Sequence, residues 1–217
     1  MIWRLTERKD WDSLVQQFSW VRDMDLVPQH ALHHAEGSVA VHTRMVLEAL
    51  QQQPSYLRLA EQDREILWAA ALLHDVEKRS TSVDEGNGQI TSKNHAKRGE
   101  ATVRTLLYRD ISTPFGIREH IASLVRHHGL PIWLMEREDP LKRACEASLR
   151  LDTSLLKQLA VADICGRICT DREILLEATE LFEMFCREQQ CWGKARTFAG
   201  DTARFHYFHT NQAYIDY

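Results

Sequence analysis

The chain has 217 residues and a formal charge of −4, with 44 % hydrophobic and 27 % charged residues. This composition excludes a collagen, a disordered tail protein and a disulfide miniprotein, and a chain of this length buries a core without cross-links. The unusual count is that of histidine, with eleven residues. Imidazole is the commonest metal ligand among side chains, so the count points toward a metal site.

Helical periodicity dominates the chain and predicts a series of amphipathic helices. Ser38 is expected to cap a first helix, which ends before Pro54. A second helix runs from about Gln62 to near Val76. The polar segment 81–93 contains two glycines and is predicted to be a loop.

The second half of the chain continues this helical pattern. Asn94 is expected to cap a third helix, and Pro114 suits the first turn of a fourth. Leucines and an alanine over 155–162 mark a fifth helix, and 171–188 forms a sixth. Strand-like alternation is absent outside the C-terminus. We therefore predict a single all-α domain over residues 1–217, with N- and C-terminal appendages.

The cysteine pattern and the lengths of the apolar segments indicate the cellular compartment in which the protein is expected. The five cysteines are odd in number and form no CxxC, which argues against a secreted disulfide framework and a zinc ribbon. The N-terminus has no signal-peptide apolar region, and no run approaches the roughly 18 apolar residues that span a bilayer. We expect a cytoplasmic protein with reduced thiols and no membrane contact.

Acidic and histidine side chains lie on or beside the apolar faces of successive helices. His42 shares the face of Val46, and His74 and Asp75 close the second helix. Asp163 follows four apolar residues, where a carboxylate is costly to bury without a positive partner. Two nitrogen and two oxygen ligands suit Mn, Fe, Ni, Co or Mg better than a structural zinc site.

Three more histidines extend this pattern to a second ion. His95 opens the third helix, and His127 and His128 close the fourth. Asp75 has two oxygens and could bridge two ions. One ion would be held by His42, His74, Asp75 and Asp163, and the other by Asp75, His95 and His127, with His128 as a further candidate. Two metals that share a carboxylate activate water and neutralise a phosphate under attack.

Basic residues near these positions are candidates for substrate binding. Lys78 lies three residues after Asp75 and could bind a phosphate oxygen, so both are candidate catalytic residues. A solvated lysine at a helix end is the alternative. Arg79, Lys97 and Arg126 are further substrate-binding candidates, although solvated helix faces carry such charges too.

Other polar and aromatic residues are assigned supporting roles. Glu36 and His34 could hydrogen-bond the ligands or handle protons. Trp133, Trp192 and Tyr108 could stack on bases, but packing in the core is the commoner role of aromatic residues.

The ordered set H…HD…H…HH…D resembles the HD superfamily of metal-dependent phosphohydrolases, named for the pair seen here in LLHDVEK. The resemblance covers about 29–167 and implies a five-helix core, followed by a C-terminal helix and tail over 168–217. It assigns metal ligation to His42, His74, Asp75 and Asp163. HAKRGE and RHHGLP match the additional histidines of members that bind two ions.

A closer resemblance is visible upstream. HHAEGSVAVHTRMVLEAL is similar to the start of the HD domain in bacterial CCA-adding tRNA nucleotidyltransferases. It is also similar to the HD phosphoesterase module of bacterial RNA end-healing enzymes, where that module is fused to a P-loop polynucleotide kinase. RFHYFHTNQAYIDY resembles the junction segment of this second group.

These relatives imply hydrolysis of a 2′,3′-cyclic phosphate, a 2′-phosphate or a 3′-phosphate on nucleotides or RNA ends. The chain has no GxxxxGK[ST] motif, so any kinase would be a separate partner. Three alternatives stay open at this point. They are an HD-fold di-iron oxygenase, a 5′-nucleotidase or dNTP-type hydrolase, and a nucleotide-binding regulator whose site is inert.

Overall fold

The computed structural model describes residues 1–30, 32–86 and 88–204, and this part of the chain is predominantly helical, as predicted. The helices, in chain order, are α1 (Trp11–Gln17), α2 (Ser19–Asp23), α3 (Val39–Gln52), α4 (Pro54–Leu57), α5 (Glu61–Leu73), α6 (Lys78–Thr81), α7 (His95–Arg109), α8 (Phe115–His127), α9 (Leu130–Trp133), α10 (Pro140–Ser148), α11 (Thr153–Cys165) and α12 (Arg172–Glu188). Strands β1 (Ser82–Asp84) and β2 (Ile90–Ser92) form one antiparallel pair.

Helix α5 lies at the centre of the bundle. Each residue from Glu65 to Leu73 is buried, and the helix packs against α3, α8 and α11. A helix that is apolar around most of its circumference is stable only when neighbours cover it on several sides. Helix α11 packs against α3, α5 and α8 as well as against α12, so both central helices end near the same region.

The ends of α3 and α5 set the geometry of the site. Ser38 caps α3 by accepting a hydrogen bond from the backbone N–H of Val41 at 3.3 Å, as predicted. Helix α5 ends at Leu73, earlier than the predicted end near Val76. A turn over 74–77 therefore carries the His-Asp pair into the short helix α6.

The segment 81–93 is partly a hairpin, and the loop prediction is wrong there. Strands β1 and β2 pair with Ser82 opposite Ser92, and the hydroxyl groups of these serines lie 2.8 Å apart. Gly86 and Gly88 at the tip have φ angles of 93° and 76°, which glycine adopts without strain. Strands of three residues are too short to leave a readable alternation in the sequence.

Two other predicted helix starts differ in detail. Asn94 precedes α7 in the left-handed region, with φ 65°, and its side chain makes no capping hydrogen bond. Pro114 directly precedes α8 rather than lying in its first turn. The six other helices, α1, α2, α4, α6, α9 and α10, were not predicted individually. The strand-like alternation and the junction-like segment at the C-terminus fall largely on 205–217, which lies outside the described residues.

The core extends beyond the five helices that carry the candidate ligands. Leu5 and Leu14 of the N-terminal segment and Phe182 of α12 belong to the same buried cluster as α5. The five cysteines form no disulfide, and three of them are buried. Within the described part of the chain, every helix is too short or too polar to cross a membrane.

Candidate metal centre

The candidate ligands come from the ends and inner faces of five helices. His42 lies in the first half of α3, and Asp163 lies in the last turn of α11. His95 is the first residue of α7, and His128 directly follows α8. Because α5 stops before His74, the turn brings His74 and Asp75 to one side, and His74 Nε2 lies 3.2 Å from Asp75 Oδ2.

The first group of ligand atoms is fully buried. His42 Nε2 lies 3.3 Å from His74 Nε2 and 3.1 Å from Asp163 Oδ1. Asp75 Oδ2 lies 3.8 Å from His42 Nε2. One nitrogen or oxygen atom of each of His42, His74 and Asp163 falls within 4.8 Å of the other two, a spacing that one ion can bridge.

The second group of ligand atoms lies around Oδ1 of Asp75, whereas the first group lies near Oδ2 of the same carboxylate. Asp75 Oδ1 is 3.4 Å from His95 Nε2 and 4.0 Å from His128 Nε2. The two histidine nitrogens are 3.3 Å apart. Asp75 therefore presents one oxygen to each group, which is the arrangement of a carboxylate shared by two ions.

Backbone carbonyls fix the tautomer of three of these rings. In each ring Nδ1 must donate, because a carbonyl oxygen only accepts, so Nε2 is left free to bind a metal. The Nδ1 donors bond to the carbonyl oxygens of residues three positions earlier, from His74 to Ala71 (2.7 Å), from His95 to Ser92 (2.7 Å) and from His128 to Val125 (2.8 Å).

Two features of this centre call for a cation. Asp75 Oδ1 is buried and has no hydrogen-bond partner in the described part of the chain. Burial lowers the pKa of His128 to about 3, so this ring is neutral and directs its Nε2 lone pair at His95 Nε2. Unpaired buried acceptors are costly, and an ion between them would satisfy both. The nitrogen and oxygen donors fit a divalent transition metal or Mg²⁺.

Both aspartates are ionised in this setting. Burial raises the pKa of Asp75, but the ammonium of Lys78 and the contact with His74 outweigh this effect and hold the pKa well below its usual value. Burial likewise raises the pKa of Asp163, and Arg167 and His42 reverse this effect. The centre therefore offers two carboxylates for cation binding.

Glu36 lies behind the ligands and supports His42. Its Oε1 accepts from His34 Nδ1 at 2.8 Å and from His42 Nδ1 at 2.9 Å. Its Oε2 accepts from the backbone N–H of Ile168 at 2.9 Å, and its side chain is fully buried. Burial raises the pKa of Glu36, but these hydrogen bonds lower it by more than burial raises it. Glu36 is therefore a carboxylate, and it orients His42.

Glu36→Gln is expected to weaken metal binding by about 10- to 100-fold, since an amide cannot accept from both histidine rings with the strength of a carboxylate. Titration against a competing chelator would measure this change. Glu85→Gln on the exposed hairpin is the matched control and should leave the metal affinity unaltered. Equal affinities for both variants would contradict a supporting role for Glu36.

His128, rather than His127, contributes to the second group of ligand atoms, contrary to the expectation from the sequence. The sequence pattern indicated His127 as a ligand of the second ion, with His128 as a further candidate. The structure brings His128 to Asp75 and leaves His127 outside both groups of ligand atoms, although it lines the adjoining cavity. Consecutive residues at the end of α8 face directions about 100° apart, so only one of them reaches the centre.

A cavity of about 870 Å³ opens onto the centre. Asp75, His95, His128 and Asp163 line it. The lining also contains seven basic residues, Lys78, Lys93, Lys97, Arg126, Arg137, Arg143 and Arg167. This surplus of positive charge contrasts with the formal charge of −4 of the whole chain.

The structure separates the four candidates for substrate binding. Lys78 is only 9 % exposed, and its Nζ lies 2.8 Å from Asp75 Oδ2, so it is not a solvated lysine. Lys97 and Arg126 line the cavity. Arg79 does not: it pairs with Asp23 at 3.1 Å, and its predicted role in substrate binding lacks support from its position.

Two contacts in the centre were not predicted from the sequence. Arg167 binds Asp163 through two hydrogen bonds, with Nε–Oδ1 at 3.0 Å and Nη2–Oδ2 at 2.5 Å. Their spacing of four residues was a signal for this pair, since side chains at that spacing meet on a helix. Gln29 accepts from Lys78 Nζ at 2.6 Å, and no pattern in the sequence indicated that contact.

Comparison with known proteins adds one finding. The family model described as the HD domain matches residues 39–168. This range runs from the start of α3 to just beyond α11 and contains all the ligand atoms described above. No curated protein matches the chain, so the resemblance to the two RNA enzymes stays a prediction from the sequence.

Proposed function

The chain belongs to the HD domain family, whose members are generally metal-dependent hydrolases, and from that premise we propose that it hydrolyses phosphoesters of nucleotides or RNA ends. The bonds we favour are those of 2′,3′-cyclic phosphates, 2′-phosphates and 3′-phosphates. The proposed cofactor is one or two divalent ions, chosen from Mn, Ni, Co, Fe and Mg.

The positive cavity above the buried carboxylates carries this proposal. Seven basic residues line it, against the two ligand carboxylates Asp75 and Asp163. Five of the seven form ion pairs, two with these ligand carboxylates and three with glutamates outside the lining, and Lys97 and Arg137 add further positive charge. A concave surface of one charge concentrates ligands of the opposite charge, and phosphoesters are anions. A small neutral alcohol, the kind of substrate that a di-iron oxygenase would oxidise, gains nothing from this charge.

The chain's own residues have distinct roles in the proposed reaction. Divalent ions held by the two groups of ligand atoms would supply activated water and neutralise charge on the phosphate. Asp75 connects the two groups of ligand atoms, because each of its carboxylate oxygens faces one group. Lys78 lies at the boundary between Asp75 and the cavity, where its ammonium can donate to a non-bridging phosphate oxygen. Arg167 keeps Asp163 oriented.

Lys97→Ala is expected to raise KM for a nucleotide substrate by up to about fivefold, since a cation at the cavity wall contributes modestly to anion binding. The effect should shrink as ionic strength rises. Arg79→Ala removes the same charge from a position outside the cavity and is the matched control. Similar KM changes for both variants would count against a specific cationic wall.

A substrate panel tests the proposal itself. The metal-loaded protein is incubated with 2′,3′-cyclic AMP, 2′-AMP, 3′-AMP, 5′-AMP, a dNTP, a cyclic dinucleotide and RNA with a cyclic-phosphate end. Hydrolysis of the first three compounds or of the RNA end supports the proposal. Release of phosphate from 5′-AMP alone would favour a 5′-nucleotidase. Oxygen uptake with a small alcohol and no hydrolysis of any compound in the panel would favour the oxygenase.

A further inference from the structure

A second cavity of about 520 Å³ lies beside the metal centre. It shares five lining residues with the larger cavity, His34, Lys78, His95, Trp133 and Arg167. A molecule bound at the centre can therefore extend into it. Its volume lies within the range of roughly 300–1,000 Å³ that is typical of small-molecule sites.

The lining of this second cavity differs in chemistry from that of the first. Ile90 of β2, Trp133 at the end of α9 and Leu175 of α12 form apolar walls from three separate elements. Lys78 and Arg167, both at the shared boundary, are the only lysine or arginine residues that line it within the described chain. The other eight lining residues are polar but not lysine or arginine, so the cavity combines three apolar side chains with hydrogen-bonding groups, a mixture that suits a planar heterocycle with a polar edge.

We propose that this second cavity binds the nucleobase of the substrate, with Trp133 as the stacking surface, while the phosphate lies in the positive cavity. The inference rests on the proposed function and adds a base-binding subsite to it. The boundary between the two cavities, formed by their shared lining residues, would then hold the sugar.

Trp133 is placed and held as a stacking residue requires. It is 40 % exposed and lines both cavities, so its ring is accessible from the boundary between them. Its Cδ1 lies 3.6 Å from where a Cβ on Gly129 would be, and α9 packs against α12. An aromatic ring held in this way loses little conformational freedom on binding, and any base has a face to stack on it.

Polar groups on the outer wall could contact the edge of a base. His33 Nδ1 and Asp171 Oδ2 lie 4.0 Å apart, and both residues line the second cavity. Together with Thr91, whose hydroxyl donates to Glu85 Oε1 at 2.7 Å and can still accept, they offer hydrogen-bond donors and acceptors to the edge of a base.

Calorimetric titration of the full chain without divalent metal tests this subsite independently of turnover. Two ligand pairs are compared, 2′,3′-cyclic AMP with 1-deoxyribose 2,3-cyclic phosphate, and 5′-AMP with ribose 5-phosphate. In at least one pair the nucleotide should bind about tenfold or more tightly than its base-free analogue. Trp133→Ala should bring that ratio close to one, whereas Trp133→Phe should keep most of it.

Tyr108→Ala is the control, since this tyrosine is an exposed aromatic residue that lines neither cavity. It should leave the ratio as in the wild type. Equal binding within both pairs, or no measurable binding of either nucleotide, overturns the base subsite, as does a ratio that Trp133→Ala leaves unchanged. Hydrolysis of a cyclic phosphate, a 2′-phosphate or a 3′-phosphate in the substrate panel alongside such a result would overturn the subsite and leave the proposed hydrolase intact.

Discussion

Asp75→Asn is expected to remove both metal ions and to lower kcat/KM for phosphoester hydrolysis at least about a thousandfold, which corresponds to about 4 kcal/mol of transition-state stabilisation. The reason is its position between two groups of ligands. Oδ2 lies 3.2 Å from His74 Nε2, and Oδ1 lies 3.4 Å from His95 Nε2. An amide at this position keeps the volume but loses the charge and one of the two acceptors.

Comparison of Asp75→Asn with His128→Ala distinguishes a shared carboxylate from two unrelated sites. This variant removes a nitrogen from the second group only, so we expect it to retain the ion held by His42, His74 and Asp163. Equilibrium dialysis with metal analysis should give two ions per chain in the wild type, one in His128→Ala and fewer than one in Asp75→Asn. Circular dichroism would establish that both variants are folded. Full metal content in Asp75→Asn would show that the centre is misassigned.

The first group of ligands could be predicted because burial leaves a pattern in the sequence. His42 and Asp163 are polar residues within apolar stripes of long helices, and a buried polar residue in such a place needs a partner. The same reasoning predicted the all-α fold, since α3, α5, α8 and α11 are long enough to show a clear helical period.

The second group depends on details that periodicity does not contain. The point at which α8 ends decides whether His127 or His128 faces Asp75, and helix ends are uncertain by one or two residues from the pattern alone. Arg79 follows Lys78 directly, yet it pairs with Asp23, 56 positions earlier in the chain. Such a contact arises from tertiary packing, so the local sequence gives no sign of it.

Gly166→Ala is expected to lower the free energy of unfolding by about 1–3 kcal/mol and to weaken metal binding at the same time. A Cβ at this position would lie 2.7 Å from the backbone nitrogen of Val46 and 2.8 Å from its Cα. Backbone atoms cannot rotate away as a side chain can, so α11 would have to move away from α3. The carbonyl oxygen of Gly166 also accepts from His42 Nδ1 at 3.2 Å.

Gly116→Ala provides the comparison that separates this clash from a general effect of replacing glycine. Gly116 lies in the first turn of α8, and nothing lies within 4 Å of an added Cβ. Alanine there should stabilise the fold by up to about 1 kcal/mol, because it restricts the unfolded chain and favours the helix. Urea denaturation of both variants would measure these opposite shifts. Since Gly166 lies between Asp163 and Arg167 on the chain and against α3 in space, a stability loss without any loss of metal affinity would show that the ligands do not depend on the contact between α3 and α11.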